Sequence, residues 1–308
     1  KTLIEPNKFI SDSDLHNKHL DFDSLEWLAE NYKKKRGLRK WTWRKIIKGI
    51  IKDFPGKLEG VVKCPWTTKL FTVDENAKAL FDKERTIFHT FVMKCMFLCK
   101  RARQDIQPGI AFLSTRTIKP NEGDFRKLIR LLCFLKETQE DVAELEADDS
   151  QTIQWHVDAS FAVHNDFRSH TGITMTLGKG TITSVSAKQK ANARSPTESE
   201  LIGIDDGVAK ILWTKLFIQC QGFFVKLNLA HRDNISSLKL EENGKSSSGK
   251  RTRHFNITYF YVTDLVKRKE ITLRYCPTED MIADYMTKPL VGAKFTFFRN
   301  KILNLRSS

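Results

Sequence analysis

The second half of the chain is predicted to adopt an α/β fold in which a mixed five-stranded sheet is flanked by helices. Five segments have the apolar patterns of short strands, and glycine-containing turns join the first three. After these three strands, which we expect to be antiparallel, helical and strand patterns alternate, as is typical of such a sheet. The predicted strands are TIQWHVDASF, TGITMTLG, GTITSVSAK, KLNLAHRD and EITLRYCP.

The helices between and after these strands follow from their apolar periodicity. A long helix is predicted over about 197–220, another after the fourth strand, and a third in HFNITYFYVTDLVKR. The last predicted helix, TEDMIADYMTK, precedes Pro289, and proline is a common stop signal. We expect residues 151–308 to form this domain, with the acidic stretch EADDSQ as its boundary.

The first half is predicted to be mainly helical and to form two parts. Residues 1–54 are an unassigned basic helical segment, in which KKKRGLRKWTWRKIIKGIIK interleaves cations with tryptophans. That run fits either a phosphate-tracking surface or an amphipathic helix, and both readings stay open. The stripe of such a helix would be Trp43, Ile46, Ile47, Ile50 and Ile51. Residues 55–150 are predicted to hold a loop with short strands, two helices broken near Pro108–Gly109, and a helix from about Asn121.

Composition limits the classes of partner. The formal net charge of +15 favours a polyanionic partner. The sequence shows no basic amphipathic helix with an aromatic face, which would have indicated binding to a membrane surface. Because no secretory signal or membrane span is visible, we expect an intracellular protein, in a cytoplasmic particle or the nucleus. The six cysteines form no metal-binding spacing, so reduced thiols are expected. The chain begins with Lys1, and we expect it to be a piece of a longer protein.

Four acidic residues are candidate metal ligands, because carboxylates that converge from separate elements can hold two divalent cations for phosphodiester hydrolysis. Two of them have structural alternatives. Asp158 could lie on an exposed edge strand, and Asp233 could cap the next helix. Thr197 and Glu200 fit a capping box, which leaves Glu198 as the predicted ligand. Asp205 is an alternative on the same helix stripe, and Asp284 lies in the last predicted helix.

Several sequence blocks resemble one family, in the family's order. They include DASFAVHNDFRSHTG, SAKQK, PTESELIGIDD, DNISSLKLEENG, RTRHFNITYFYVTD and YCPTEDMIADYMTKPL. Over about residues 55–305 the chain resembles the C-terminal part of copia-type retrotransposon Pol polyproteins, namely the end of the reverse transcriptase and the ribonuclease H domain. The resemblance implies a ribonuclease H-like sheet in 151–308 and a thumb- or connection-like segment in 55–150.

The resemblance also implies an activity. It assigns catalysis and the binding of two Mg²⁺ or Mn²⁺ ions to Asp158, Glu198, Asp233 and Asp284, with an RNA–DNA hybrid as substrate. The family's Tyr-x-Asp-Asp turn is absent from the sequence, so no polymerase activity is expected. Alternatives are a non-catalytic remnant that binds nucleic acid and a scaffold that packs on other polyprotein segments.

Basic residues around these acids are candidates for nucleic-acid contacts. His231 and Arg232 flank Asp233 and could contact a phosphate, whereas His254 is predicted to start or pack a helix. The candidates for contacts with the nucleic-acid backbone are Lys188, Lys190, Arg232, Arg251 and Arg253. A solvated basic face explains the lysines and arginines equally well.

Overall fold

The computed structural model describes residues 38–41, 43–243 and 261–305. Predictions for residues 1–37, Arg251, Arg253 and His254 lie outside these ranges, as does any stacking role of the Trp41 side chain. Within them, no helix is both long enough and apolar enough to cross a bilayer.

The first half is mainly helical, as predicted, with two differences. Residues 38–41 form a strand rather than a helix, and residues 55–72 contain no strand. Of the predicted isoleucine stripe, Ile47 and Ile50 are buried, whereas Ile46 is exposed. In chain order the elements are β1 (Leu38–Trp41), α1 (Arg44–Asp53), α2 (Asp82–Arg101), a 3-10 turn (Gln104–Ile106), α3 (Gln107–Thr115), α4 (Glu122–Glu137) and β2 (Ala143–Ala147).

Local chemistry explains where the helices of the first half begin. The Asn121 side chain accepts a hydrogen bond from the Asp124 N–H at 3.0 Å, and the Asp124 carboxylate accepts one from the Asn121 N–H, so a capping box starts α4. Pro108 lies in the first turn of α3, where its missing N–H costs no helical hydrogen bond. The break between α2 and α3 therefore precedes Pro108.

The second half alternates strands and helices. Its elements are β3 (Thr152–Ser160), β4 (His170–Thr176), β5 (Gly178–Lys179), β6 (Thr183–Lys188), α5 (Pro196–Cys220), β7 (Leu227–Arg232), α6 (Ile235–Asn243), α7 (Tyr261–Lys267), β8 (Thr272–Tyr275), α8 (Asp284–Thr287) and α9 (Gly292–Leu303). The last predicted helix is thus split: α8 is only four residues long, and α9 follows Pro289.

Five of these strands form one mixed sheet in the order β6-β4-β3-β7-β8. Strand β4 is antiparallel to β3 and β6, whereas β7 is parallel to β3 and β8. Strand β3 is central and is buried on both faces along most of its length. The predicted five-stranded mixed sheet flanked by helices is confirmed, and Asp158 does not lie on an edge strand.

Helices cover both faces of this sheet. Gly207 of α5 lies against Ile173 on one face, and α8 lies against Gly172 on the other. A Cβ atom at Gly172 would lie 2.5 Å from Thr287 Cγ2 and 2.8 Å from the Ala283 carbonyl oxygen, so only glycine permits this close approach. The approach brings the start of α8 onto the middle of β3.

The two halves share one continuous hydrophobic core. A second, small sheet of order β1-β2-β5 spans the predicted boundary at 146–151. The Trp66 indole N–H donates to the Leu290 carbonyl at 2.8 Å, and the Tyr285 hydroxyl donates to the Asp105 carbonyl at 2.8 Å. The first half thereby holds the segment that carries α8, and the division near residue 150 stays a prediction.

Candidate active site

Three of the four predicted acids converge. Carboxylate oxygens of Asp158, Asp233 and Asp284 all lie within 4.8 Å of one another. The three residues come from the middle of the central strand, from the end of a neighbouring strand and from a helix on the sheet face above them. We call these three side chains the carboxylate cluster.

Asp158 is held by both the sheet and α8. Its side chain is 2 % exposed, and the Thr287 hydroxyl donates a short hydrogen bond to its Oδ2. Because side chains alternate across a strand, Asp158 faces the side of the sheet on which α8 lies. The pairing of Asp158 with Gly172 leaves room for this contact.

Asp233 is free to join the cluster because its neighbour caps the helix. The Asn234 side chain accepts from the Ser237 N–H at 3.0 Å and so takes the N-terminal capping role that could have belonged to Asp233. The Thr278 hydroxyl donates to Asp233 Oδ2 at 3.2 Å. Burial raises the pKa of Asp233, and the negative charge of Asp158 adds to the rise.

Asp284 is the first residue of the short helix α8. The prediction that it lies inside a longer helix is therefore wrong. It is 1 % exposed, and the neighbouring Tyr285 and Met286 anchor it in the core. Burial and repulsion by Asp158 raise the pKa of Asp284 to about 7, although Lys288 opposes this rise. An acid in this environment is stabilised by an added cation.

Among the described residues, Lys288 is the cation in contact with the cluster, and it was not among the predicted site residues. Its ammonium lies 2.5 Å from Asp284 Oδ1 and 3.7 Å from Asp158 Oδ2. The Lys288 side chain is 37 % exposed, so its charged end can leave toward solvent. Its spacing of four residues from Asp284 was a signal in the sequence, because such pairs meet on one helix face.

The structure corrects the choice between the two glutamates of α5. Ser195, two residues before Thr197, caps the helix by accepting from the Glu198 N–H at 3.1 Å. The Glu198 carboxylate accepts from the Arg194 N–H at 2.7 Å and does not join the cluster. Glu198 therefore has a structural role at the start of α5.

Glu200 is the glutamate of α5 that lies next to Asp158, although its carboxylate is not among the three that lie within 4.8 Å of one another. Its Oε1 accepts from the N–H of Ala159, the residue after Asp158, at 3.3 Å. Burial raises the pKa of Glu200 well above its ordinary value; Arg232 opposes the rise, and Asp158 and Asp233 add to it. Glu200 is therefore the glutamate whose charge is coupled to the aspartates. Asp205 is not in the cluster.

Arg232 is a buried ion-pair partner and not a surface contact. Its side chain is fully buried and lies 3.0 Å from Glu200 and 3.0 Å from Glu241. Strand alternation explains this, since neighbours along β7 point to opposite faces and Arg232 turns away from Asp233. The predicted contact between Arg232 and nucleic acid is therefore wrong.

Among the described residues, charge is unbalanced at this end of the sheet. Five carboxylates surround two described cations, Lys288 and Arg232. The carboxylates are those of Asp158, Glu200, Asp233, Glu241 and Asp284. Burial raises the pKa values of Glu200 and Asp284, and repulsion between the acids adds to the rise, so an added cation would stabilise their charged forms. Oxygen ligands in this arrangement suit a hard divalent cation.

Comparison with known proteins places this site in a family context. No protein-family model matches the chain. The retrovirus-related Pol polyprotein from transposon TNT 1-94 of Nicotiana tabacum is 25% identical over 87% of the chain. Those from transposons RE1 and RE2 of Arabidopsis thaliana are 27% and 26% identical over 65% of it.

The chain is similar to retrotransposon Pol polyproteins. The resemblance to the copia type seen in the sequence blocks is confirmed. The chain covers 19%, 14% and 14% of these three polyproteins, so it spans less than a fifth of their length. Among solved structures, the chain is similar to a foamy viral protease-reverse transcriptase in complex with double-stranded DNA, with a TM-score of 0.39 and 14% identity. The match covers 68% of this chain and 34% of the foamy viral chain. A similarity this low supports no conclusion.

The two described lysines that were predicted to contact nucleic acid line a cavity together with two further lysines. Lys188 and Lys190 border a cavity of about 640 Å³ together with Lys100 and Lys210. Asp206 is the acid in its lining, and Lys188 also pairs with Asp166 at 2.6 Å. Burial and the nearby Lys100 lower the pKa of Lys210 to about 8, so an anion in the cavity would stabilise the charged amine.

Proposed function

We propose that this chain is a ribonuclease H-type, metal-dependent endonuclease that cleaves the RNA strand of RNA–DNA hybrids, as a part of a copia-type Pol polyprotein. The observation that carries the proposal is the convergence of Asp158, Asp233 and Asp284 to within 4.8 Å from three distant segments. The excess of carboxylates over cations adds to it, because a structural cluster of this burial would be neutralised.

Two divalent ions, Mg²⁺ or Mn²⁺, are the proposed cofactors. The fit rests on the donor set: carboxylate oxygens without enough protein cations are ligands that Mg²⁺ prefers. Asp158, Asp233 and Asp284 would hold them, with Glu200 as the fourth carboxylate in place of Glu198. Such a pair supplies an activated water and stabilises the attacking and leaving oxygens of phosphodiester cleavage.

The protein's own groups prepare this site in three ways. The Thr287 and Thr278 hydroxyls orient Asp158 and Asp233, so their carboxylates are fixed before a ligand arrives. The Ala159 N–H holds Glu200 beside the cluster. Lys288 compensates part of the charge and can withdraw toward solvent, where it would meet a substrate phosphate.

The proposed substrate is nucleic acid, and the four-lysine cavity supports it. Burial lowers the pKa values of two of its lysines, Lys100 and Lys210, so an anion in the cavity would stabilise their charged amines. The cavity lies against β6, the edge strand next to β4, on the sheet side covered by α5. We propose that Lys190, which is exposed, contacts the phosphate backbone there.

The direct test uses the purified chain, Mg²⁺ and a hybrid labelled on its RNA strand. The wild-type protein is expected to cut the RNA and leave the DNA intact, and chelation with EDTA should stop it. Asp158→Asn should reduce cutting below detection, whereas Asp264→Asn, which removes an exposed acid paired with Arg268, should not. Undiminished cutting by Asp158→Asn would refute the assignment.

A second candidate function is non-catalytic binding of nucleic acid. It is favoured by Lys288 and Arg232, which already pair with acids of the site. This function predicts salt-sensitive binding of the hybrid with no metal-dependent cleavage. A protein that binds the hybrid but cuts it in neither Mg²⁺ nor Mn²⁺ would establish the second function and exclude the first.

A further inference from the structure

A second group of potential ligands lies on the same sheet face, next to the carboxylate cluster. One ligand atom from each of His156, His231 and Cys276 lies within 4.8 Å of the other two. His156 precedes Asp158 by two residues on β3, and His231 precedes Asp233 by two on β7. The group is therefore displaced by roughly 6–7 Å along the strands from the acids.

The sheet itself assembles this group. His156 pairs with His231 in the parallel register of β3 and β7, and their rings stack with centroids 4.5 Å apart and planes 15° apart. Cys276 directly follows β8, and its N–H donates to the Arg232 carbonyl at 2.8 Å, which continues the ladder by one residue. Strands β3 and β7 thus each supply one ligand, and the residue after β8 supplies the third.

Three ring nitrogens of this group are buried without a hydrogen-bond partner. His156 is 7 % exposed, and its Nδ1 has no partner among the described residues. Both ring nitrogens of His231 are also buried and without a partner in the same ranges. The Cys276 thiol contacts the Pro277 carbonyl oxygen at 3.5 Å. Buried nitrogens without partners are destabilising, and a bound ion would satisfy one nitrogen of each ring.

We propose that His156, His231 and Cys276 bind one Zn²⁺ ion, at a site separate from the carboxylate cluster. Two imidazoles and one thiolate are a donor set for zinc, whereas Mg²⁺ and Mn²⁺ prefer the oxygens nearby. Tetrahedral zinc needs ligand atoms about 3.3–3.8 Å apart, so small side-chain rotations close the site. Binding replaces the Cys276 thiol proton, which is released to solvent, and water takes the fourth position.

Zinc bound at this site would help to position the carboxylate cluster through the segment that joins Cys276 to Asp284. Cys276 begins the segment that leads to Asp284, and this segment also contains Thr278, the donor to Asp233. A metal bond from Cys276 to β3 and β7 ties the start of that segment to the sheet. The zinc ligands are therefore positioning residues for the acids, and zinc binding itself does not depend on hydrolysis by this chain.

The experiment is Co²⁺ titration of the metal-free full chain under reducing conditions. The wild-type protein should take up one tetrahedral Co²⁺ with a thiolate-to-cobalt charge-transfer band, and Zn²⁺ should displace it. Cys276→Ser should abolish the band, and His231→Ala should weaken binding at least about 10-fold. The matched control is Cys220→Ser, which removes the exposed thiol among the described cysteines and should leave the band intact.

Three results separate this proposal from its alternatives. A band that survives in Cys276→Ser, or octahedral Co²⁺ without a thiolate band in the wild type, would overturn it. Asp158→Asn should keep the band, so failure of hydrolysis and failure of zinc binding are distinguishable. If Cys276→Ser folds poorly, the melting temperature decides: excess Zn²⁺ should raise it by about 5 °C in Cys220→Ser but not in His231→Ala.

Discussion

Two buried charged clusters in this protein have opposite charge balance. In the first, Asp105 is fully buried, accepts from Arg103 at 2.8 and 2.9 Å, and accepts from Arg299 at 2.9 Å. Burial alone would raise the pKa of Asp105, but the two guanidiniums lower it to about 2. In the carboxylate cluster, burial and Asp158 raise the pKa of Asp284 to about 7.

The difference separates a structural cluster from a ligand site. Asp105 joins the turn before α3 to α9, so its neutralisation fixes the two halves of the chain together. The acids around Asp158 outnumber their cations, and this excess costs stability unless a divalent ion binds. The first cluster is complete within the protein, whereas the second has capacity for a ligand.

The largest effect is expected from Asp105→Asn. This change leaves Arg103 without an acidic partner among the described residues, whereas Arg299 keeps Asp141. Breaking a buried pair in this way costs about 3–5 kcal/mol of unfolding free energy. Urea denaturation measures it. The matched control is Asp82→Asn, which removes an exposed pair with Arg85 and should cost less than about 1 kcal/mol. Equal losses in the two variants would contradict the contrast between the clusters.

The next effect concerns the glutamates of α5. Glu200→Gln should lower hydrolysis of the hybrid by about 10- to 100-fold, because it removes a carboxylate whose charge is coupled to Asp158 and Asp233. Glu198→Gln should change it by less than about 3-fold, since Glu198 contacts the Arg194 backbone. Initial rates in Mg²⁺ distinguish the two, and the reverse order would restore Glu198 as the ligand.

The smallest effect is a pH dependence of stability in metal-free protein. The pKa of Asp284 is about 7 in the folded state against 3.8 ordinarily, so the folded state binds this proton more tightly. Stability should therefore fall as pH rises from about 4 to 7. Asp105 has the opposite sign: its stabilisation is present above its ordinary value of 3.8 and is lost as pH falls toward 2.

The variant Asp284→Asn tests whether Asp284 causes the loss of stability between pH 4 and 7. The variant should flatten this part of the profile and should stabilise metal-free protein at pH 7 by about 1 kcal/mol, since it removes a repelled buried charge. Thermal unfolding in EDTA at several pH values measures both. An unchanged slope in the variant would assign the fall to another group.

Part of this site could be predicted from the sequence, and part depends on the tertiary structure. Alternation predicted the strands that carry Asp158 and Asp233, and the same alternation, applied to Arg232, would have placed it on the opposite face. The glutamates could not be separated, because Ser195-x-x-Glu198 and Thr197-x-x-Glu200 both fit the sequence pattern of a capping box, and the helix begins with Ser195 as its N-cap. The small sheet was missed because β1 and β2 are short and about a hundred residues apart.

The most direct measurement is the anomalous diffraction of Mn²⁺ in crystals of this chain. The account predicts bound Mn²⁺ coordinated by Asp158, Asp233 and Asp284, with the Lys288 ammonium displaced from its 2.5 Å contact with Asp284. Two ions roughly 3.5–4 Å apart are expected when nucleic acid is also bound. No anomalous peak at these carboxylates in saturating Mn²⁺, with Lys288 still paired to Asp284, would contradict it.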